Sequence, residues 1–341
     1  MYFRTMKIDH LNVAENLLAE PKKITLIPHR NPDGDAMGSS LGLYHFLKKL
    51  GHDVQIIVPN EFPDFLKWMP GSEHILVFEK DQNHCKTNIS ASDLIFALDF
   101  NALHRTGDVM ASFLTTIKCP FIMIDHHQSP EDFAVFTYSD TEISSTCEMV
   151  YHFIKALHKE DLIDKTIGTC LYTGIVTDTG SFKFNRTTSA THEAAAFLIS
   201  KGAENTKIHN QLFDSQSYNR LQLLGKALTN LKVFPAYKTA YTTLSQEELD
   251  QFQYKKGETE GLVNYGLSIE GIQLAVIFIE NKEEGIIKIS LRSLGNFDVN
   301  ELSRTYFNGG GHVNAAGGKS TLSLEETARF FESILPTLIF K

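Results

Sequence analysis

The sequence predicts an α/β fold in which a mostly parallel sheet is covered by helices, and three observations predict it. Short apolar runs alternate with helical patterns along the first half. Two of the runs, in SDLIFALDF and CPFIMIDHH, are apolar almost throughout, as in strands buried on both faces. Metal-competent polar residues stand directly after these runs, where ligands gather at the carboxyl ends of open parallel sheets.

The elements follow in order. LNVAENLLAE reads as a first amphipathic helix, and KKITLIPH as the first strand, ending at His29. The loop RNPDGDAMG leads into a helix over SSLGLYHFLKKLG, with Leu43, Phe46, Leu47 and Leu50 on one face and Gly51 placed to stop it. DVQIIVP is the next strand, followed by the two continuous runs above. ISSTCEMVYHFIKALHK is a helix with a capping box from Ser145 to Glu148, and DKTIGTCLYTGIVTDTG is a helix ending near Asp178 and Gly180. The pattern from 190 to 232 is helical and more polar, and QSYNRLQLLGKALTNLKV reads as a connecting helix. KTAYTTLS, GIQLAVIFIE and GIIKISLRS are strands of a smaller α/β domain, closed by the helix LSLEETARFFESILPTLI. The expected organisation is a domain over 1–189, a helical linker over 190–232 and a second domain over 233–341.

Composition narrows the function. Apolar residues make up 42% and charged residues 21% of 341 residues, a globular balance with room for about two domains. No apolar run reaches the roughly 18 residues of a membrane span, and the N-terminus does not read as a secretion signal. Cys85, Cys119, Cys147 and Cys170 form no CxxC pair, which argues against a thiolate zinc site and a disulfide framework and for a reduced, cytoplasmic setting. A net charge of −9 disfavours capture of long nucleic acid but not of a short nucleotide, because bound cations reverse the field locally.

His29 ends the first strand, with Asp33 and Asp35 just beyond it; Asp99 ends another, and Asp125, His126 and His127 end a third. Asp178, at a helix end, can reach the same rim. Imidazole with carboxylate suits manganese, iron, cobalt or zinc. Six candidate ligands exceed one tetrahedral site and suit two ions sharing a carboxylate, about 3.5–4 Å apart, which together clamp the oxygens of a phosphoryl group. Taken alone, His29 and Asp33 are equally a turn with an Asx hydrogen bond, and Asp99 is equally a cap. Three consecutive metal-competent side chains at a sheet rim are harder to assign to packing. Arg105, six residues past Asp99, is either a phosphate contact or half of a surface ion pair.

The second domain contributes NGGGHVNAAGG. Gly309, Gly310 and Gly311 would let backbone N–H groups approach an anion, a following helix would add its dipole, and His312 stands beside them. Arg292 in ISLRS is placed to supply a bidentate phosphate contact if its strand is adjacent. His104, five residues past Asp99, is placed to face the site with Arg105, whereas His45, His52, His74, His84, His152, His158, His192 and His209 lie in helical or loop surroundings without carboxylate company and read as structural or surface residues.

Together HRNPDGD, ALDF, IDHH and YTGIVTDTGSF resemble, in order and spacing, the four motifs of the DHH phosphoesterase superfamily. ISLRS and NGGGHVNAAGG resemble the substrate-binding part of its DHH-associated C-terminal domain, and the length is most like the branch of bacterial oligoribonucleases that also dephosphorylate 3′-phosphoadenosine 5′-phosphate (pAp). The resemblance implies two Mn2+, with Mg2+ or Co2+ as substitutes. His29 and Asp33 would hold one ion, Asp35, His126 and Asp178 the other, and Asp99 would bridge them. It also implies that Asp125 orients ligands, that His127 faces the scissile phosphate, and that Arg292, the glycines and His312 grip a terminal nucleotide. Short oligoribonucleotides and nucleotides are the expected substrates, and a homodimer is the expected assembly. A dinucleotide phosphodiesterase of signalling is the nearest rival; a non-catalytic nucleotide sensor, expected to have lost metal ligands, is the rival of another class.

Overall fold

The computed structural model describes residues 8–255 and 257–338. Two compact units divide the chain, Met1–Ser215 and Gln216–Lys341.

In the first unit, α1 (Leu11–Leu17) precedes β1 (Lys23–Pro28), α2 (Gly34–Lys49), β2 (Asp53–Val58), β3 (Leu76–Val77), α3 (Gln82–Ser90), β4 (Leu94–Leu98), α4 (Asp108–Leu114), β5 (Phe121–Asp125) and β6 (Phe136–Ser139). Helices α5 (Thr146–Ala156), α6 (Lys165–Asp178), α7 (Ser189–Ser200) and α8 (Asn205–His209) complete it. The six strands are all parallel, in the order β3-β2-β1-β4-β5-β6. That order reverses between β1 and β4, so the connections that follow these two strands leave in opposite directions and open a crevice at their carboxyl ends. Side chains alternate across the sheet. Ile24, Leu26, Phe96 and Ile122 pack into one apolar layer with α2, α5 and α6, while Ile27, Ile95, Ala97 and Met123 pack into the other. This two-sided burial is why the sequence runs are continuous rather than alternating.

Helix α2 begins earlier than its sequence suggests. Asp33 is its N-cap, accepting from the N–H groups of Asp35 and Ala36, so Asp35 sits in the first helical turn rather than in the loop. Gly34, Gly38 and Gly42 recur every four residues and face α6: a β-carbon would stand 2.4 Å from Thr177 Oγ1, 2.6 Å from the Cys170 carbonyl and 2.5 Å from Leu171 Cδ2 respectively. Close approach of the two helices brings Asp35 at the start of α2 toward Asp178 at the end of α6.

The stretch 190–232 is helical but divides between the units. Helices α7 and α8 belong to the first, with Ala194, Leu198 and Ile208 in its core, and α9 (Tyr218–Thr229) opens the second. There β7 (Lys232–Phe234), β8 (Thr239–Leu244), α10 (Gln246–Gln251), α11 (Asn264–Leu267), β9 (Leu274–Asn281) and β10 (Ile286–Ser293) follow. Then come α12 (Val299–Tyr306), β11 (Gly310–His312), β12 (Ala315–Ser320) and α13 (Leu324–Ile334). The sheet order is β11-β12-β10-β9-β8-β7, mixed, with only β8 and β9 parallel. Among the described residues no helix is long and apolar enough to cross a membrane.

Candidate metal centre

The crevice at the sheet reversal is where the polar residues converge. Pro28 and Leu98 are level in the β1–β4 ladder, so the next residues, His29 and Asp99, leave the sheet side by side. His29 Nε2 lies 3.3 Å from Asp99 Oδ2. Asp99 has a left-handed backbone, φ 62°, which turns the chain sharply out of β4; aspartate and asparagine tolerate this better than other non-glycine residues. Asp125 is the last residue of β5 and delivers His126 and His127 beside Asp99.

Two of the resulting triads, His29–Asp33–Asp99 and Asp35–Asp99–His126, each have potential ligand atoms within 4.8 Å of one another. They share Asp99 through different oxygens. Oδ2 faces His29, and Oδ1 lies 3.5 Å from His126 Nε2. Asp178 Oδ2 is 3.6 Å and Asp35 Oδ2 3.8 Å from the same His126 nitrogen, and Asp33 Oδ1 is 4.0 Å from His29 Nε2. Both imidazoles are held from behind by backbone carbonyls. His29 Nδ1 lies 2.8 Å from Arg30 O and His126 Nδ1 3.3 Å from Ile143 O, which assigns the proton to Nδ1 and directs Nε2 into the cluster. Nitrogen and oxygen donors, no thiolate and one shared carboxylate fit a pair of divalent cations.

Burial and mutual repulsion set the charges of this cluster against one another. Burial pushes Asp35 well above the usual carboxylate range, and the charges of Asp99, Asp178 and Asp33 add to it. Asp178 is raised to about 7, chiefly by burial and by Asp33 and Asp99 against the opposing His126 and Arg186. For Asp99, burial is outweighed by the bond from His29 and the nearby His127 and His126, which hold it far below the ordinary value. Burial would lower His29, but Asp99 and Asp33 prevail and raise it to about 9.

Asp125 clusters with Asp99 and His127 and directs both oxygens to His127: Oδ2 accepts its backbone N–H at 2.9 Å and Oδ1 lies 2.7 Å from its Nδ1. Arg105 reaches the other face of that ring, Nη2 standing 3.2 Å from His127 Nε2. A guanidinium only donates, so Nε2 accepts and Nδ1–H donates to Asp125. Burial lowers the His127 pKa despite Asp125 and Asp99, in keeping with a neutral ring. Arg105 therefore faces the centre, whereas its neighbour His104 is exposed and lies 3.7 Å from Glu131.

Several participants carry no motif that a sequence reading singles out. Thr146 N and Cys147 N, at the start of α5, donate to Asp35 at 2.6 and 2.9 Å, and Thr146 Oγ1 donates to Asp99 Oδ1 at 2.9 Å. Asn101 Nδ2 clamps the carbonyls of His127 and Gln128 at 2.9 and 3.0 Å. Arg186, half-buried, acts on the charges of both His126 and Asp178.

In the second unit Arg292 and the glycine segment share one sheet, Arg292 pairing with Ala315. The glycines do not introduce a helix; they form the edge strand β11, which hairpins into β12, with α12 before it. Packing explains most of them. A β-carbon on Gly309 would stand 1.9 Å from Gly317 O, and one on Gly311, whose φ is 153°, 2.4 Å from Ala315 O. Gly310 differs, because the nearest atoms to its β-carbon would be Asn300 Oδ1 at 3.5 Å and Arg304 Nε at 3.7 Å. Gly309→Ala is expected to destabilise the second unit by about 2–3 kcal/mol and Gly310→Ala by less than about 1 kcal/mol, which urea denaturation measures.

Family models described as "DHH family, N-terminal domain" and "DHHA1 domain" match residues 23–175 and 237–336. The chain is 30% identical over 335 residues to the bifunctional oligoribonuclease and PAP phosphatase NrnA of Thermus thermophilus, covering 98% of this chain and 93% of that protein. The chain belongs to the DHH family. It is a hydrolase of the DHH phosphoesterase kind, with a DHHA1 domain after the DHH domain. The solved structure of an exopolyphosphatase-related protein from Bacteroides fragilis is 43% identical with a TM-score of 0.92, covering 96% of each chain. The cyclic-di-AMP phosphodiesterase PdeA of Listeria monocytogenes is 26% identical over 92% of this chain but only 47% of its own length.

Proposed function

We propose that the protein is a Mn2+-dependent phosphoesterase that hydrolyses short oligoribonucleotides to mononucleotides and pAp to AMP. The observation that carries this reading is Asp99, whose two oxygens serve two separate ligand triads. Likeness to NrnA over nearly the whole of both chains supports the substrate class. His29 and Asp33 would hold one ion, Asp35, His126 and Asp178 the other, and Asp99 would bridge them. When bound, the ions supply Lewis-acid polarisation of the phosphoryl oxygens and a water of lowered pKa.

The chain's own groups do the rest. Asp125 fixes the tautomer and direction of His127, whose Nε2 shares the face occupied by Arg105. Both are proposed to meet the phosphoryl group, Arg105 by neutralising charge and His127, once Nε2 takes up a proton from water and releases Arg105, by donating to the leaving oxygen. In the DHHA1 unit, Arg292, Gly309, Gly310, Gly311 and His312 are proposed to bind the nucleotide end of the substrate. Arg292→Ala should raise KM about tenfold or more, the cost of about one charge-assisted contact, and leave kcat within a few-fold. Steady-state kinetics on a dinucleotide checks this, and an unchanged KM removes Arg292 from the assignment.

The reading is tested by incubating the protein with Mn2+ and, separately, pAp, a 5′-phosphorylated RNA dinucleotide, a longer RNA and a cyclic dinucleotide. Chromatography should show AMP from pAp and mononucleotides from the dinucleotide, with the longer RNA cut far more slowly. Cleavage of the cyclic compound alone would transfer the protein to the PdeA-like activity. Binding without turnover would make it a sensor.

A further inference from the structure

Four acidic side chains are buried in the first unit among the described residues: Asp35, Asp99, Asp125 and Glu148. The first three belong to the centre. Glu148, 1% exposed, belongs to neither triad and has no assigned task. Its sequence context suggests a capping box, but only half of one forms: Ser145 Oγ accepts the Glu148 N–H at 3.1 Å, while the Glu148 carboxylate turns elsewhere. Its Oε2 accepts from Ser144 Oγ at 2.5 Å and Thr191 Oγ1 at 2.9 Å, and its Oε1 lies 3.5 Å from His152 Nε2. His152 therefore does have a carboxylate partner, one helical turn away at the i,i+4 spacing that puts both on one face of α5.

The location gives this network its meaning. Glu148 stands in the first turn of α5, whose preceding N–H groups at Thr146 and Cys147 hold both oxygens of Asp35, and whose Thr146 hydroxyl holds Asp99 Oδ1. The lone pairs that those two carboxylates present therefore depend on where this turn sits. Ser144 secures the turn from the chain entering it. Thr191, in α7, secures it from a second helix and also closes the capping box with Thr188 that starts α7. Burial alone would raise the Glu148 pKa, yet bonds from His152, Ser144 and Thr191 lower it, so the carboxylate is a charged acceptor at neutral pH.

We propose that Glu148 is a positioning residue of the metal centre: by gripping Ser144 and Thr191 it fixes the first turn of α5, which in turn aims Asp35 and Asp99 at the cations. The inference rests on the two-cation phosphoesterase reading, and outer hydrogen-bond partners of metal ligands typically change affinity 10–100-fold when removed. Glu148→Gln preserves the geometry, because the amide oxygen can accept from both hydroxyls while its NH2 faces His152. Glu148→Ala removes the grip.

Mn2+ binding to the whole protein, followed by electron paramagnetic resonance without substrate, tests it. Glu148→Ala should bind Mn2+ about 10–100-fold more weakly than the wild type, and Glu148→Gln within about threefold of it. A network that serves folding alone would lower the thermal midpoint of Glu148→Ala and leave its Mn2+ affinity at the wild-type value; that result overturns the proposal. If Glu148→Ala does not fold, Ser144→Ala removes one hydroxyl and leaves the rest in place. A several-fold loss of Mn2+ affinity in Ser144→Ala then supports the role, and wild-type affinity overturns it. A wild-type protein that binds no Mn2+ overturns the underlying reading instead, whereas tight wild-type binding with an unaffected Glu148→Ala overturns only the Glu148 assignment.

Discussion

Asp99→Asn is expected to lower kcat/KM for a dinucleotide at least about 1,000-fold, close to 4 kcal/mol of transition-state stabilisation. The size follows from the two oxygens of Asp99. One faces the His29 triad and the other the His126 triad, so losing the charge would weaken both proposed ion sites at once. Asparagine is the informative replacement, because it accepts the left-handed backbone at φ 62° that alanine would strain. It also retains an oxygen for the Thr146 hydroxyl, which donates at 2.9 Å. A fall confined to tenfold, with unchanged Mn2+ affinity, would remove Asp99 from the bridging role.

Stripping divalent cations is expected to make stability fall as pH rises from about 4 to about 9. Asp178 in the folded protein holds its proton up to about 7 against an ordinary 3.8, so the stability this contributes is full below 3.8 and lost as pH passes about 7. His29, raised from 6.5 to about 9, contributes stability that is full below 6.5 and lost through about 9. Asp35 and His126 shift in the same direction. Asp99 opposes them only below its ordinary value of 3.8, and His127 only below 6.5. Cations must displace these protons, so the rise in thermal midpoint on adding Mn2+ should grow with pH. At one Mn2+ concentration, a hundredfold above the Kd at pH 8.5, the rise should be roughly 5–10 °C near pH 8.5 and much smaller near pH 5.5, where protons weaken binding. Equal rises at both pH values would contradict a centre made of these coupled groups.

The fold and the cluster were legible in the sequence for one physical reason. A strand buried on both faces is apolar along its length, so a polar residue that ends it is conspicuous; Asp99 and Asp125 stand out in ALDF and IDHH for that reason. What escaped the sequence depends on contacts between distant segments. The short edge strands β3 and β7 have two and three residues and leave little periodicity to read. Asp33 hides a helix start, because the glycines of NPDGDAMG suggest a loop although their function is close packing on α6. Glycines likewise misdirect in NGGGHVNAAGG, where Gly309 and Gly311 allow a strand to lie against its neighbour and β12, not a helix, comes next. Thr146, Asn101 and Glu148 act through hydrogen bonds spanning 47, 26 and 43 residues, and no local spacing encodes such partners.

Counting Mn2+ per chain by calorimetric titration, in the wild type and in Asp99→Asn, bears most directly on the shared carboxylate. Two ions per wild-type chain, with loss of at least one in Asp99→Asn, is the expected result. A single site that persists unchanged in Asp99→Asn, or no site in the wild type, would contradict a two-cation centre built on Asp99.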